Sequence, residues 1–278
     1  MEDTIRMEQP RKQAEGVLAS SVNHSAAICI SDPQPGGIND LSDEVLLEII
    51  QRIGDEEGSP WSSRHLFNLA VCSRRFYKLL EPELYSKFSQ SNNEPNGQRH
   101  FLLFLKRILA RPDLAQSLKR LCAAACSNEA EWLLPVESEL GDEDWIRIRK
   151  VVNEVSRTED EAERWITALE VGQWAAVMAL LLSVTPNLEE LEINEWSYHN
   201  GDYENLLEAL ERARILQDLG KESLFSMSKL RVVSVNYYDT ENGYDFEHVV
   251  PFLELKSVEL FGATWCSKVT PRILTIRG

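Results

Sequence analysis

Two series of apolar residues at helical spacing occupy the segment between residues 41 and 80. In the first series the apolar positions lie three or four residues apart, while Asp43, Glu44 and Glu48 fall on the other side, so the pattern predicts an amphipathic helix. The second series follows an acidic loop that contains Gly and Pro, and it predicts one or two further short helices. The apolar members are Leu41, Val45, Leu46, Ile49, Ile50 and Ile53 in the first series, and Leu66, Phe67, Leu69, Ala70, Val71, Cys72, Phe76, Leu79 and Leu80 in the second.

A different pattern, Leu-x-x-Leu-x-Leu, recurs four times in the second half of the chain, starting at Leu118, Leu188, Leu230 and Leu255. This is the strand signature of a leucine-rich repeat, in which the last positions alternate between the two faces of a sheet. The starting leucines are 70, 42 and 25 residues apart, and helical patterns at 144–155, 161–184 and 203–219 fill the long intervals. Because each crossover is long enough to return the chain to the same end of the sheet, we expect four parallel neighbouring strands.

The fragment RILTIRG, with Ile273, Leu274 and Ile276, has the pattern of a short fifth strand. A repeat sheet that ends without a polar terminal unit exposes its last strand. We therefore expect an exposed edge there, belonging to a shortened version of a longer repeat array or covered by a partner.

These patterns divide the chain into four segments. Residues 1–37 lack any apolar period and end in PQPGG, which predicts a disordered leader. Residues 38–85 form a small all-α unit, residues 86–98 a polar linker, and residues 99–278 an irregular repeat domain with parallel strands and long helices. The fold class is therefore mixed α/β.

The order LSDEVLLEII followed by LFNLAVCSRRFYKLLEPELY resembles the F-box motif, and EPELY is similar to the form common in fungal F-box proteins. The phrases RPDLAQSLKRL and AAVMALLLSVTPNLEELEI resemble the irregular repeats of the C-terminal region in those proteins. The chain departs from the usual motif in having Ser42 where Pro is common, and in a longer loop between the first two helices.

The resemblance implies a substrate-recognition subunit of an SCF-type cullin-RING ubiquitin ligase. The F-box would dock on a Skp-family adaptor, while the repeat domain would recruit an unknown target protein. Three short helices cannot enclose all of their large apolar side chains, which also indicates a partner surface. The residues expected to contact the adaptor, or to support the contact directly, are Leu41, Ser42, Val45, Leu46, Ile49, Leu69, Cys72 and Phe76.

Aromatic residues directly follow three of the repeat strands, where loops would present them at the rim of the sheet. They are candidates for target binding, with loop residues that only cap the strand ends as the alternative. Trp165 and Trp174, by contrast, lie in apolar helical patterns and are expected in the core. The rim candidates are Trp196, Tyr198, Tyr237, Tyr238 and Trp265.

Composition argues against several classes of ligand and site. A net charge of −16 argues against nucleic acid as the main ligand, and the longest apolar run, 174–182, is too short to span a membrane. An odd number of scattered cysteines, 5 in all, indicates reduced thiols in the cytoplasm, the nucleus or both. Cys122 and Cys126 lack a second ligand pair, and the histidines are dispersed, so we expect neither a metal nor a cofactor.

Three alternatives stay open. The segment from Leu41 to Leu80 fits a helical hairpin that packs on the rest of the chain. An F-box bound to its adaptor without a cullin would act as a scaffold outside ubiquitination. The acidic stretch at 137–163 offers paired carboxylates, including Asp142, Asp144 and Glu161, for a hydrolase. Because no catalytic motif accompanies these carboxylates, we expect helix starts and solvated loops there, and no enzyme.

Overall fold

The computed structural model describes residues 37–54, 61–90, 97–124, 136–194, 203–221, 223, 225–237, 249–265 and 272–275. Those residues form a mixed α/β structure, as the sequence predicts. The chain divides into two compact units, 1–42 and 43–278. In the first, a 3₁₀ turn spans Ile38–Asp40, and the Asp40 carboxylate accepts a hydrogen bond of 2.7 Å from the Gly37 amide. The predicted leader otherwise lies outside the described residues.

Helices make up most of the second unit. The first three succeed one another in the segment of the two apolar series, and the remainder accompany the strands. Their bounds are α1 Asp43–Gly54, α2 Trp61–Cys72, α3 Arg74–Leu84, α4 Gly97–Ala110, α5 Pro112–Ala115, α6 Val136–Glu139, α7 Asp142–Val155, α8 Glu159–Glu170, α9 Trp174–Val184, α10 Glu204–Asp218 and α11 Val250–Leu253.

The strands of the second unit form one sheet in which each strand neighbours the next along the chain. The first five are parallel, and the last is antiparallel to its neighbour. The four strands predicted from the recurring leucines therefore do lie side by side and parallel. The strands are β1 Lys87–Ser89, β2 Arg120–Ala124, β3 Glu190–Asn194, β4 Val232–Tyr237, β5 Leu260–Trp265 and β6 Arg272–Thr275.

The strand β1 occupies the start of the segment predicted as a polar linker. Its residue Phe88 pairs with Leu121 and stacks on Phe104 of α4 at 4.1 Å between ring centroids. Polar composition alone predicted a hinge here, but KFS alternates so that the aromatic ring enters the core while Lys87 and Ser89 are exposed. The helix α3 therefore leads into the sheet through two residues only.

A backbone turn recurs ahead of each of the next four strands. In every case an amide donates to the carbonyl three residues earlier, and the following residues then pair with the preceding strand. The turn joins Leu118 to Ala115, Leu188 to Thr185, Leu230 to Met227 and Val258 to Leu255, at 3.4, 3.3, 3.0 and 3.1 Å.

This turn corrects the register predicted for the fourth repeat. Val258, and not Leu255, is equivalent to Leu230, because Val233 pairs with Phe261. Leu255, Val258 and Leu260 satisfy the spacing in sequence, but Leu260 is exposed while Phe261 is buried. With the start at 258, the last interval is 28 residues, within the usual period of leucine-rich repeats, roughly 20 to 29.

The main core lies between the sheet and the helices that cover one of its faces. Inward side chains from the strands, such as Leu121, Leu191 and Val233, join α4, α7, α9 and α10 in one cluster. The helix α9 is buried on all sides from Trp174 to Ser183. Trp165 is buried as predicted, and its indole N–H donates to the Ala176 carbonyl at 3.0 Å.

The apolar stretch 161–184 is divided into two helices. Gly172 has a φ of 77°, a conformation that glycine adopts without steric cost. Its amide donates to Leu169, and the amide of Gln173 donates to Ala168, which is the Schellman arrangement that ends a helix. The continuous helical pattern hid this break, although the glycine between α8 and α9 marks it.

The antiparallel strand β6 is the last of the sheet within the described residues. The sequence predicted an edge strand at this place, but as a further repeat, which would be parallel. Backbone amides of Ile273 and Leu274 have one neighbouring strand, whereas those of Leu191 and Ile193 lie between two.

Hydrogen exchange provides a test of this edge. We expect the β6 amides, averaged over the strand, to exchange at least ~10-fold faster than those of β3, because edge strands open locally at a lower free energy. Measurement by NMR or mass spectrometry on a verified monomer is sufficient. Equal protection would mean that another segment already covers the free edge of β6.

Candidate functional site

The structure separates the predicted adaptor residues into a buried and an exposed group. Leu46 and Phe76 lie in a small core formed by α1, α2 and α3, and Leu46 is only 1% exposed. Leu69 is half-buried against this core, whereas Val45, Ile49 and Cys72 are exposed. Leu41 and Ser42, also exposed, belong to the other compact unit, 1–42.

Further apolar side chains on the three helices are exposed, and two of them belong to the second apolar series but were not among the predicted adaptor residues. Phe67 and Val71 are 58% and 64% exposed and lie four residues apart, on one face of α2. Leu47 and Tyr77 are exposed as well. The signal was present in the sequence, because α2 has more apolar residues than one buried face can hold. We refer to Val45, Ile49, Phe67 and Val71 as the apolar surface.

Polar contacts join α1 to α3 and cap the start of α3. The Arg75 guanidinium of α3 donates to the Asp43 carboxylate in the first turn of α1, with Nε 2.8 Å from Oδ1. The Ser73 hydroxyl caps α3 by accepting from the Arg75 amide at 3.2 Å. The first turn of α1, which precedes Val45 and Ile49, is therefore tied to the start of α3.

The carboxylate of Glu81 joins α3 to the repeat part of the chain. It accepts from Arg107 of α4 at 3.0 Å and from Arg111 at 3.0 Å, and the Tyr77 hydroxyl donates to it at 2.9 Å. Burial alone would raise the pKa of the Glu81 carboxyl, but the hydrogen bonds from Arg111, Tyr77 and Arg107 lower it below the ordinary value. Glu81 is therefore ionised at neutral pH.

The outward face of the sheet lines a cavity of about 570 Å³ with polar side chains and with charged groups of both signs, Lys87, Arg120, Glu190 and Glu192. Cys122, Glu192 and Ser234 stand in one row across β2, β3 and β4. In the next row, Asn236 donates to Asn194 at 2.6 Å and to Glu192 at 3.1 Å. Sequence patterns did not indicate these residues, because the predicted target-binding aromatics follow the strands.

The side chains of the five aromatic residues predicted to bind a target lie outside the described part of the structure. Trp196, Tyr198 and Tyr238 lie outside the described residues, and only the backbone of Tyr237 and Trp265 is described, at the ends of β4 and β5. The proposal that these side chains bind a target stays a prediction.

Carboxylates of the acidic stretch accept hydrogen bonds from backbone amides at the starts of α7 and α8. Asp144 accepts from the Gly141 amide at 3.0 Å and pairs with Lys106 at 2.9 Å. Burial would raise the pKa of the Asp144 carboxyl, but the Lys106 ammonium and the Gly141 amide lower it, so the group is ionised and poorly suited to donate a proton. The Glu161 carboxylate, in the first turn of α8, accepts a hydrogen bond of 2.9 Å from the backbone amide of Arg157, which precedes the helix.

A metal site has no support in the described part of the chain, where no three His, Cys, Asp or Glu side chains cluster closely enough to hold an ion. Cys122 accepts from the Asn194 amide group at 3.2 Å, while Cys126 lies outside the described residues. None of the helices in the described ranges combines the length and apolar character needed to cross a bilayer.

Comparison with models of known protein families, with curated proteins and with solved structures gives no match.

Proposed function

We propose that the protein is the substrate-recognition subunit of an SCF-type cullin-RING ubiquitin ligase. In this proposal residues 38–85 are an F-box that docks on a Skp-family adaptor, and the strands and helices from residue 99 onward are an irregular leucine-rich repeat domain that recruits a target. The chain itself forms no covalent bond. It holds the target near ubiquitin carried by other subunits, which raises the local concentration of the reacting groups.

The observation that carries the proposal is the apolar surface on a three-helix group with a core of its own. Val45, Ile49, Phe67 and Val71 remain exposed although their neighbours Leu46, Ile50, Leu66 and Ala70 fill that core. Several exposed large apolar residues on two neighbouring helices are typical of protein interfaces. The resemblance of the same segment to the F-box motif identifies the expected partner as the adaptor.

Adaptor binding by purified protein tests this proposal. Ile49 is 37% exposed in the apolar surface, so Ile49→Ala should weaken adaptor binding about tenfold through lost apolar burial, with little effect on folding. The matched control is Ile146→Ala, since Ile146 is exposed on α7 and should leave binding unchanged. Leu46→Ala is unsuitable, because this buried side chain supports the three-helix core.

Two outcomes decide between the proposal and its alternatives. An intact chain that does not bind the adaptor at micromolar concentration overturns the proposal and favours a helical group that serves another partner. Adaptor binding without recovery of a cullin, in a reconstituted mixture of adaptor, cullin and this chain, favours the scaffold alternative outside ubiquitination.

A further inference from the structure

The three-helix group and the repeat part of the chain bury their apolar side chains separately. Among the described residues, α1, α2 and α3 share a small core that includes Leu46, Phe76 and Leu80, whereas the later helices and the strands share the main core. Burial of apolar surface is non-directional, so two separate cores do not by themselves fix the angle at which they meet. That angle depends on the contacts that α3 makes beyond its own core.

The connection from α3 to β1 consists of Tyr85 and Ser86 and is held by hydrogen bonds. The Ser86 amide and hydroxyl both donate to the Glu83 carbonyl, at 3.0 and 2.7 Å. The buried Ser86 also accepts, through its carbonyl, from the amides of Lys119 and Arg120 where β2 begins, at 2.8 and 3.0 Å. The end of α3 is therefore fixed on the sheet, and what remains to be set is the direction in which the helix leaves it.

The Glu81 carboxylate, one turn before this connection, receives hydrogen bonds from several directions. Arg107 of α4 donates to Oε1 at 3.0 Å, Arg111 directly after α4 donates to Oε2 at 3.0 Å, and Tyr77 of α3 donates to Oε1 at 2.9 Å. Arg111 is held in turn by Asp113, with Nε 2.8 Å from Oδ1. Because both carboxylate oxygens are engaged from two points of the neighbouring segment, these contacts specify a direction as well as a distance.

Stability alone does not account for a carboxylate at this place. Glu81 is only 8% exposed, so its burial has a desolvation cost that offsets much of the gain from its hydrogen bonds. An apolar side chain of similar volume is often equally stabilising in such a position, whereas a buried charge needs its hydrogen-bond partners in one arrangement. What Glu81 adds over an apolar residue is a defined orientation.

We propose that Glu81 is a positioning residue, which through Arg107 and Arg111 fixes the orientation of the three-helix group, and with it the apolar surface, relative to the sheet. The fixed orientation does not depend on the proposed function, but its use rests on that function. An adaptor on the apolar surface and a target on the repeat domain would be held at one mutual distance, which oriented transfer of ubiquitin requires.

The distance between the two parts of the full chain tests this proposal. Spin-labelled amino acids at the exposed positions Asn68 of α2 and Lys150 of α7 should give one narrow distance distribution by double electron–electron resonance. Glu81→Leu should raise the population of other orientations about tenfold, the factor expected when hydrogen bonds to a charged group are lost. The free energy of unfolding should fall less than in Glu81→Ala, because leucine still fills the space.

The matched control is Glu48→Leu, the same substitution at an ion-paired residue on the exposed surface of α1, and it should leave the distances unchanged. Equal broadening in this control would show general loosening and would overturn the proposal. So would a narrow distribution in Glu81→Leu, because the stack of Tyr85 on Phe104 and the short connection would then be sufficient. If Glu81→Leu does not fold, Glu81→Gln should broaden the distribution to a lesser extent, and unchanged distances in that variant would be equally decisive.

Adaptor affinity provides a separate measurement. Because the apolar surface lies on α1 and α2, Glu81→Leu should bind the adaptor as the unmodified chain does. Intact adaptor binding together with a narrow distribution in Glu81→Leu overturns the positioning role alone. An unmodified chain that does not bind the adaptor, while Glu81→Leu broadens the distances, overturns the ligase proposal but leaves Glu81 as the positioning residue.

Discussion

Leu180→Ala should lower the free energy of unfolding by about 3 kcal/mol or more. Leu180 is fully buried in α9, a helix that is apolar on every side and contacts α4, α7, α8 and α10. When neighbours on all sides are themselves held by the sheet, they cannot collapse into the space left by a deleted side chain. The cost therefore includes the cavity as well as the lost apolar transfer.

Urea unfolding followed by circular dichroism measures this effect. The matched control is Leu219→Ala, the same substitution at a residue that is 61% exposed just after α10, and its effect should stay within about 0.5 kcal/mol. If Leu180→Ala costs no more than this control, α9 does not occupy the centre of the core.

The parallel sheet was predictable from sequence because its signal is strong and local. Inward leucines at fixed spacing specify both the strand and the face that it buries, so Leu118, Leu188 and Leu230 were assigned correctly. The fourth repeat was misassigned because Leu255, Val258 and Leu260 reproduce the same spacing. Only the pairing of Val233 with Phe261 separates the two registers, and that is a contact between distant residues.

The candidate sites were harder to predict for a different reason. Helical periodicity indicates which residues share a face, but it does not say which face packs inward when three helices are short and apolar. Leu46 and Phe67 are both large apolar residues of their helices, yet one is buried and the other exposed. The polar row of Cys122, Glu192 and Ser234 on the outward sheet face joins residues that are 70 and 42 positions apart in sequence.

The contact between α3 and α4 was likewise not predictable from sequence patterns. In the sequence, Glu81, Arg107 and Arg111 are ordinary charged residues of amphipathic segments, and the charges alone suggest a solvated surface. The short entry into β1 brings α3 against α4 and buries the Glu81 carboxylate between two guanidinium groups. Tertiary placement, which no local pattern specifies, converts these surface charges into a structural contact.

Glu81→Ala should therefore destabilise the protein by about 1.5 kcal/mol, since the buried carboxylate accepts charge-assisted hydrogen bonds, whereas its donors Arg107 and Arg111 are partly exposed and can be solvated. The matched control is Glu48→Ala, because Glu48 pairs with Arg52 on the exposed surface of α1 at 2.8 Å. Surface pairs of this kind contribute about 0.5 kcal/mol. Comparable losses for the two variants would show that the Glu81 contacts are solvated and that α3 and α4 are held by apolar packing alone.

The contribution of Glu81 should also depend on pH. Its pKa is lower in the folded chain than in the unfolded chain, so the stability that it contributes is complete above the ordinary glutamate range, about pH 4.3. That stability is lost as pH falls through this range to the lowered folded-state value. The difference in unfolding free energy between the unmodified chain and Glu81→Gln should accordingly be largest at neutral pH and shrink in acid.

Glu81→Ala should also change the cooperativity of unfolding. The three-helix core and the main core are separate clusters, and the Glu81 contacts with Arg107 and Arg111 are a polar link between the helices that belong to them. With this link removed, the three-helix group should melt first, giving two calorimetric transitions in place of one. A single transition for Glu81→Ala at neutral pH would mean that the stack of Tyr85, at the end of α3, on Phe104 of α4 is sufficient to couple the two cores.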